Sequence, residues 1–215
     1  MHKTIYCISG LGADEKVFRN LHFKGYKMKY IPWLVPEKRE KISAYASRMA
    51  AHITEESPVL LGVSFGGMMG IEIAKQLPMK KLFIISSIKN TVELPGWMKV
   101  VGKMQLNKFL PTRSYKFTEK LDNDRLGVSN EEEKMMVRDY RRNADPVYVN
   151  WAIDQVLNWK NGWHPDYLVH IHGDRDKMFP IKRINATHVI SGGTHMMIYN
   201  RAAEISHCIE KELSG

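Results

Sequence analysis

Hydrophobic and polar residues fall into two kinds of segment along the chain, and their order predicts a parallel sheet covered by helices. Short runs rich in apolar, β-branched and aromatic residues predict strands, and apolar residues spaced three or four positions apart predict helices. Alternation of the two favours an α/β fold with helices on both faces of a mostly parallel sheet. The predicted strands span residues 4–9, 27–31, 58–63, 81–86, 167–172 and 187–190, and the clearest helices span 42–55, 65–76 and about 196–213.

A long interval between the fourth and fifth predicted strands interrupts this alternation. It is far longer than a helical crossover requires, and it is rich in aromatic residues and methionines. Within it, Ser129-x-x-Glu132 matches a capping box, and Asp145-Pro146 matches an N-cap followed by a first-turn proline. We therefore expect a single domain over 1–215 with a helical cap insertion at 91–144, over the C-terminal edge of the sheet. A minority of its apolar side chains should face a pocket.

Composition and charge narrow the class of ligand. The 215 residues are 44% hydrophobic and 26% charged, which is typical of a soluble globular protein, and the net charge is +9. The basic residues are scattered and interrupted by acids, with no nucleic-acid-binding motif, so a solvated basic surface and no nucleic-acid partner are expected. The alternative is a preference for anionic ligands, for which Arg138, Arg141 and Arg142 of the insertion are candidates.

The distribution of apolar residues and cysteines predicts a cytoplasmic location. No apolar run is long enough to span a membrane, so no integral membrane contact is expected. The apolar N-terminal stretch is too short for a secretory signal and lacks a small-residue cleavage site. Cys7 and Cys208 stand at opposite ends of the chain, where two cysteines do not make a disulfide framework.

The pentapeptide Gly62-Val63-Ser64-Phe65-Gly66 matches G-x-S-x-G. The motif alone is weak evidence, but here a buried strand runs directly into it and a helix begins directly after it. That context is typical of a strained turn that exposes a nucleophilic serine above a sheet, with glycines where a side chain would collide with neighbouring elements. Ser64 is therefore the candidate nucleophile.

A serine hydroxyl needs a general base, and His195 is the candidate. It follows the last predicted strand in Gly192-Gly193-Thr194-His195, immediately before the last helix. The histidine in turn needs an acid that fixes its tautomer and stabilises its cation. Asp174 and Asp176 both follow the fifth strand, at the edge of the sheet where such an acid belongs.

These motifs together resemble the α/β-hydrolase superfamily over nearly the whole chain, in the order Ser, Asp, His. His-Gly-x-x-Asp followed by a proline resembles the acid loop of that family and selects Asp176, which leaves Asp174 as a turn or capping residue. The loop 9–14 resembles the oxyanion loop, so the resemblance implies that the N–H groups of Leu11 and Phe65 hold an oxyanion. This chain has Ser9 where the family often has histidine, and it begins at the oxyanion strand as a minimal, six-stranded version.

The resemblance implies a serine hydrolase that acts on a small, ester-like substrate, such as a carboxylic ester or thioester, without a cofactor or metal. The substrate is expected to be a small acyl compound, with an anionic one as an alternative. Two alternatives stay open on the same fold: a non-hydrolytic ligand-binding or receptor protein, and a C–C hydrolase or lyase that uses the same triad. A third alternative is a dinuclear zinc hydrolase, because His170, His172 and Asp174 match part of H-x-H-x-D, although Arg175 stands where that pattern requires histidine.

Overall fold

The structure is a computed structural model that describes the backbone of residues 3–105 and 115–214 and the side chains of 3–105 and 119–214. Within these residues the chain forms one six-stranded sheet in the order β2-β1-β3-β4-β5-β6. All five neighbouring pairs are parallel, which confirms the predicted α/β class. The strands are β1 (Lys3–Ile8), β2 (Tyr26–Tyr30), β3 (Val59–Val63), β4 (Lys81–Ile85), β5 (Leu168–Gly173) and β6 (His188–Ile190).

Helices cover both faces of the sheet, as predicted. The α-helices are α1 (Ile42–Ala50), α2 (Phe65–Ala74), α3 (Gly96–Lys103), α4 (Tyr115–Leu126), α5 (Glu131–Asn143), α6 (Pro146–Asn158), α7 (Met197–Asn200) and α8 (Ala202–Ser214). Successive strand side chains point to opposite faces, so Tyr6 and Leu60 pack with α1 and α2 in one core, while Ile5 and Leu61 pack with α8 in a second core. None of the described helices is long and apolar enough to cross a membrane.

Two predicted helices differ from those observed. Helix α1 ends at Ala50, because the chain turns there and Thr54 reaches the buried end of β1, where its amide donates to the Tyr6 hydroxyl at 3.2 Å. The C-terminal helix is divided into α7 and α8 at Arg201. Asn200, directly before this break, donates to Glu133 on α5 at 3.0 Å, so α7 follows the position of α5.

The capping box predicted at Ser129 and Glu132 is wrong by one residue. The N-cap of α5 is Asn130, whose side chain accepts a hydrogen bond from the Glu133 amide at 2.9 Å. The Glu133 carboxylate in turn accepts from the amide of Ser129 at 2.6 Å. Glu133 is fully buried, so the carboxylate that stabilises the start of this helix is the inward-facing one rather than its exposed neighbour. The prediction for α6 is confirmed, since Asp145 accepts from Val147 and Tyr148 at its N-terminus.

The helices between β4 and β5 contact the edge of the sheet where the parallel strands end. Leu126, at the end of α4, accepts a hydrogen bond from the Met196 amide at 3.1 Å. Ala144, directly after α5, lies against Gly12, where an added Cβ would be 3.6 Å from the Ala144 Cβ. Both contacts place α4 and α5 beside the loops that follow β1 and β6. Residues 106–114 of the predicted insertion lie outside the described residues.

Candidate active site

Ser64 lies on a sharp turn between the end of β3 and the start of α2. Its backbone has φ +53° and ψ −118°, a conformation that is unusual for a residue with a side chain. Gly62 and Gly66 permit this turn because neither position has room for a side chain. An added Cβ at Gly62 would lie 2.3 Å from the backbone oxygen of Gly66, and an added Cβ at Gly66 would lie 2.3 Å from the backbone oxygen of Ile8. The strand–turn–helix context inferred from the sequence is therefore present.

A continuous chain of hydrogen bonds connects the three residues singled out from the sequence. The Ser64 Oγ is 3.0 Å from Nε2 of His195, and Nδ1 of His195 is 2.8 Å from Oδ2 of Asp176. These residues come from the ends of three different strands, β3, β5 and β6, which meet at one edge of the sheet. The arrangement allows Nε2 to accept the serine proton while Nδ1–H donates to the carboxylate.

The environment of Asp176 keeps it ionised. Its side chain is fully buried, and Oδ1 accepts hydrogen bonds from the amides of Met178 at 2.8 Å and Phe179 at 2.9 Å. Burial raises its pKa, but the charge and hydrogen bond of His195, with smaller contributions from His172 and the Phe179 amide, outweigh this effect. The pKa of Asp176 consequently lies below its ordinary value, and the carboxylate is available to stabilise a His195 cation.

The turn between α4 and α5 contacts the loop that carries His195. Both residues adjacent to His195 donate hydrogen bonds to this turn. The Thr194 hydroxyl donates to the Gly127 oxygen at 3.4 Å, and the Met196 amide donates to the Leu126 oxygen. The Phe179 ring packs edge-on against the imidazole, with ring centroids 5.6 Å apart. The histidine is therefore oriented from the insertion as well as from the acid loop, a contact that sequence pattern alone does not reveal.

The loop 9–14, which the family resemblance suggests as the oxyanion loop, lies beside the serine. An added Cβ at Gly10 would be 3.5 Å from the Ser64 Cβ. Phe65 is the first residue of α2, so its N–H has no partner within the helix. In the described parts of the chain, no hydrogen bond engages the Leu11 amide. Among the described residues, neither of the two N–H groups suggested by the family resemblance as oxyanion donors has an intramolecular hydrogen-bond partner.

Ser9 and Trp33 hold this loop in place, and the role of Trp33 has no sequence signal. The Ser9 hydroxyl donates to the Ala13 oxygen at 2.7 Å, which closes the loop on itself. Trp33 Nε1 donates to Ser9 Oγ at 3.0 Å and to the Gly10 oxygen at 3.1 Å. Ser9 therefore supplies polar contacts at the position where the family often has histidine.

Aromatic side chains form a wall beside the nucleophile. The Trp33 ring stacks on Phe65 and on Tyr148, with centroids 5.1 Å apart in both cases. Tyr45 and Trp151 extend the cluster, with centroids 4.2 Å apart. Tyr148 and Trp151 come from α6, Phe65 follows the nucleophile, and the others come from the main domain. Tyr45, Phe65 and Tyr148 are buried in the core, and Trp33 and Trp151 are half-buried.

The candidate zinc ligands have other partners. His170 and His172 are buried, and their Nε2 atoms lie 3.1 Å from the Ser87 oxygen and 2.8 Å from the Phe179 oxygen. Asp174 accepts from the Gly192 amide at 2.6 Å, which connects the loop after β5 to the loop after β6. Among the described residues no group of three histidine, cysteine or acidic side chains is arranged to hold a metal ion.

Solved structures with the same architecture cover nearly the whole chain. A thermophilic esterase from Thermogutta terrifontis aligns with a TM-score of 0.74 and 14% identity over 100% of this chain and 90% of its own. The N-acyl homoserine lactonase AidH aligns with a TM-score of 0.71 and 16% identity over 99% of this chain and 88% of its own. An epoxide hydrolase from Bacillus megaterium aligns with a TM-score of 0.69 and 10% identity over 100% of this chain and 94% of its own.

These alignments, with the topology of the sheet, define the fold. No protein-family model matches the sequence, and a search of curated proteins gives no match. The three solved structures are nevertheless similar over their full architecture, and this chain has the α/β-hydrolase fold. Its version has six parallel strands, with the candidate nucleophile after the third strand along the chain.

Proposed function

We propose that this protein is a serine hydrolase that cleaves a small carboxylic ester or thioester through an acyl-enzyme on Ser64. The observation that carries the proposal is the hydrogen-bond chain from Asp176 through His195 to Ser64. A buried, ionised carboxylate, an imidazole and a hydroxyl in this order are the groups that acyl transfer requires. The similarity in fold to an esterase and a lactonase supports hydrolysis, and serine at the nucleophile position favours acyl transfer over epoxide opening.

The chemistry proceeds in two acyl-transfer steps. His195 Nε2 takes the proton of Ser64 as Oγ attacks the carbonyl carbon, and the N–H groups of Leu11 and Phe65 stabilise the oxyanion. Such donors contribute about 3–4 kcal/mol each to the transition state. Protonated His195 then donates to the leaving alcohol or thiol. Water attacks the acyl-enzyme by the same route and regenerates the serine.

The insertion at 91–144 acts in this proposal as a cap over the catalytic edge. The support comes from two contacts, that of Gly127 with Thr194 beside His195, and that of Ala144 with Gly12 in the oxyanion loop. Substrate would then bind between the sheet edge and α4–α6. The half-buried ring of Trp33, which stacks on Phe65 next to the serine, supports an apolar acyl or aryl group on that side.

Hydrolysis of p-nitrophenyl esters from acetate to long acyl chains, by wild type and Ser64→Ala, tests the proposal. The substitution should keep the fold, because the hydroxyl sits on a half-buried turn and fills no core volume, and the thermal midpoint checks this. Activity should fall by about four to six orders of magnitude. Equal rates in the two proteins would contradict the proposed nucleophile.

Active-site labelling distinguishes the alternatives. A fluorophosphonate that modifies wild type stoichiometrically at Ser64, together with ester turnover, supports the hydrolase. Labelling without turnover of any ester or thioester would favour the receptor or the C–C hydrolase. An unlabelled protein that contains stoichiometric zinc would favour the metal enzyme and overturn the proposal.

A further inference from the structure

Three arginines stand close together on α5, and the structure separates their environments. Arg138 pairs with Glu119 at 2.6 Å and is 53% exposed, and Arg142 lies 4.0 Å from Asp139 and is 79% exposed. Arg141 points inward, and its side chain is only 16% exposed. The solvated surface expected for the basic residues is therefore not found at Arg141, because this residue is on the same side of the helix as the buried Val137.

The guanidinium of Arg141 is only half engaged. Its Nη2 donates to the Asn123 side-chain oxygen at 3.2 Å and lies 3.9 Å from Asp122 Oδ2, both on α4. Its Nη1 is buried, and among the described residues it has no hydrogen-bond partner. Buried donors of a charged group are costly when they are unpaired, so a buried guanidinium nitrogen without a partner is the kind of group that a ligand acceptor completes.

The neighbours of Arg141 place it between the two loops that serve the nucleophile. Asn123 is one helical turn before Leu126 and Gly127, which bind both residues adjacent to His195. In the other direction along α5, Ala144 follows Arg141 by three residues and contacts Gly12 in the oxyanion loop. Arg141 therefore lies on the stretch of the insertion that spans from the histidine loop to the oxyanion loop.

We propose that Arg141 binds a carboxylate carried by the substrate, which makes the preferred substrate an ester or thioester of a dicarboxylic acid. This inference rests on the proposed function and names the substrate class of the same site. A guanidinium presents a planar set of donors that matches a carboxylate, and Nη1 supplies the unpaired donor. Asp122 is the competing acid, but it lies at the far limit of ion pairing from Nη2.

A pair of esters that differ in charge tests the proposal. The p-nitrophenyl monoester of glutaric acid carries the second carboxylate, and p-nitrophenyl butyrate lacks it. The kcat/KM ratio of the two esters is measured for wild type, Arg141→Gln and Arg138→Gln. Arg138 is the matched control, because it is also on α5 and also binds α4, through Glu119. The ratio should favour the glutarate ester in wild type and fall by roughly 10- to 100-fold in Arg141→Gln, mainly through KM. Arg138→Gln should keep the wild-type ratio.

Other results would overturn the assignment. A wild-type ratio that does not favour the glutarate ester would do so, as would an equal loss on both esters in Arg141→Gln, or the same change in Arg138→Gln. Calorimetric binding of the unhydrolysed glutarate ester to Ser64→Ala gives a readout independent of turnover. Binding that weakens at least tenfold when Arg141→Gln is added supports the carboxylate site even if the proposed hydrolysis fails, and unchanged or undetectable binding rejects it.

Discussion

His172 lies against the same carboxylate that binds the candidate catalytic histidine: its Nε2 is 3.5 Å from Oδ2 of Asp176. The same nitrogen is 2.8 Å from the backbone oxygen of Phe179, which lies three residues after Asp176 on the same loop. Burial lowers the pKa of His172, although Asp176 and the Phe179 carbonyl oppose this effect. His172 is therefore a neutral donor at Nε2. From β5, it fixes the conformation of the acid loop through its hydrogen bond to Phe179.

Removal of this donor should reduce turnover by displacing Asp176. We expect His172→Phe to lower kcat by about 10- to 100-fold with little change in KM, because small displacements of a positioned catalytic group are costly. His172→Gln should restore most of the loss, since its amide can donate to the same carbonyl. His170→Gln is the matched control, because His170 lies two residues earlier on β5 and bonds to Ser87 instead. Steady-state kinetics on one ester provide the measurement, and equal losses in His172→Phe and His170→Gln would indicate a general effect on β5.

The choice between the two aspartates of the acid loop can be tested directly. Asp176→Asn should lower kcat by about 10³- to 10⁴-fold, because a neutral amide neither stabilises the imidazolium nor enforces the correct tautomer. Asp174→Asn should stay within about threefold of wild type, because its side-chain oxygen can still accept from the Gly192 amide. A larger loss in Asp174→Asn than in Asp176→Asn, with both proteins folded by circular dichroism, would show that the acid is misassigned.

The indole N–H of Trp33 should contribute to turnover through the oxyanion loop. Trp33→Phe keeps an aromatic ring in the wall but removes the hydrogen bonds to Ser9 and Gly10, so we expect kcat to fall about tenfold. Trp151→Phe is the control, since it belongs to the same wall but donates to the Glu40 oxygen instead. Both substitutions should cost about 1 kcal/mol of stability. An equal reduction of kcat in the two variants would argue against a role of the indole N–H in holding the loop.

Two buried histidines should make the protein less stable in mild acid. Burial lowers the pKa of His170 well below 6.5, and it also lowers the pKa of His172. The unfolded chain binds protons at these histidines at a higher pH than the folded chain does. Their contribution to the free energy of unfolding is therefore complete above about pH 6.5, declines as the pH falls and is lost below the folded-state pKa. Each histidine contributes a slope of at most about 1.4 kcal/mol per pH unit.

Urea unfolding between pH 8 and pH 5 measures this dependence. His170→Gln removes one titrating group and can still donate to the Ser87 carbonyl, so its unfolding free energy should decline less steeply than that of wild type below about pH 6.5. His22→Gln serves as the control, because it replaces an exposed histidine and should leave the slope unchanged. Parallel wild-type and His170→Gln profiles would contradict the assignment of the slope to His170.

Local sequence determined the elements and the order of the candidate catalytic groups. The apolar run of β3 leads into a glycine-flanked serine that only a tight turn accommodates, so both the strand and the elbow around Ser64 could be predicted. Asp176 and His195 follow later strands, and parallel strands bring their C-terminal ends to one edge. This topological fact is sufficient to predict that the three residues meet, because it needs the order of strands and no detail of packing.

Tertiary structure decided everything that depends on distant side chains packing together. Trp33 donates a hydrogen bond to Ser9 in the loop 9–14, more than twenty positions earlier in the chain. No local pattern distinguishes this indole from any other apolar residue. The sequence shows only that Arg138, Arg141 and Arg142 are basic. The rotation of α5 against α4 buries Arg141 and leaves the other two exposed. Secondary structure and motif order follow from short-range periodicity and backbone sterics, but burial and partner choice follow from the three-dimensional arrangement of elements, which periodicity does not encode.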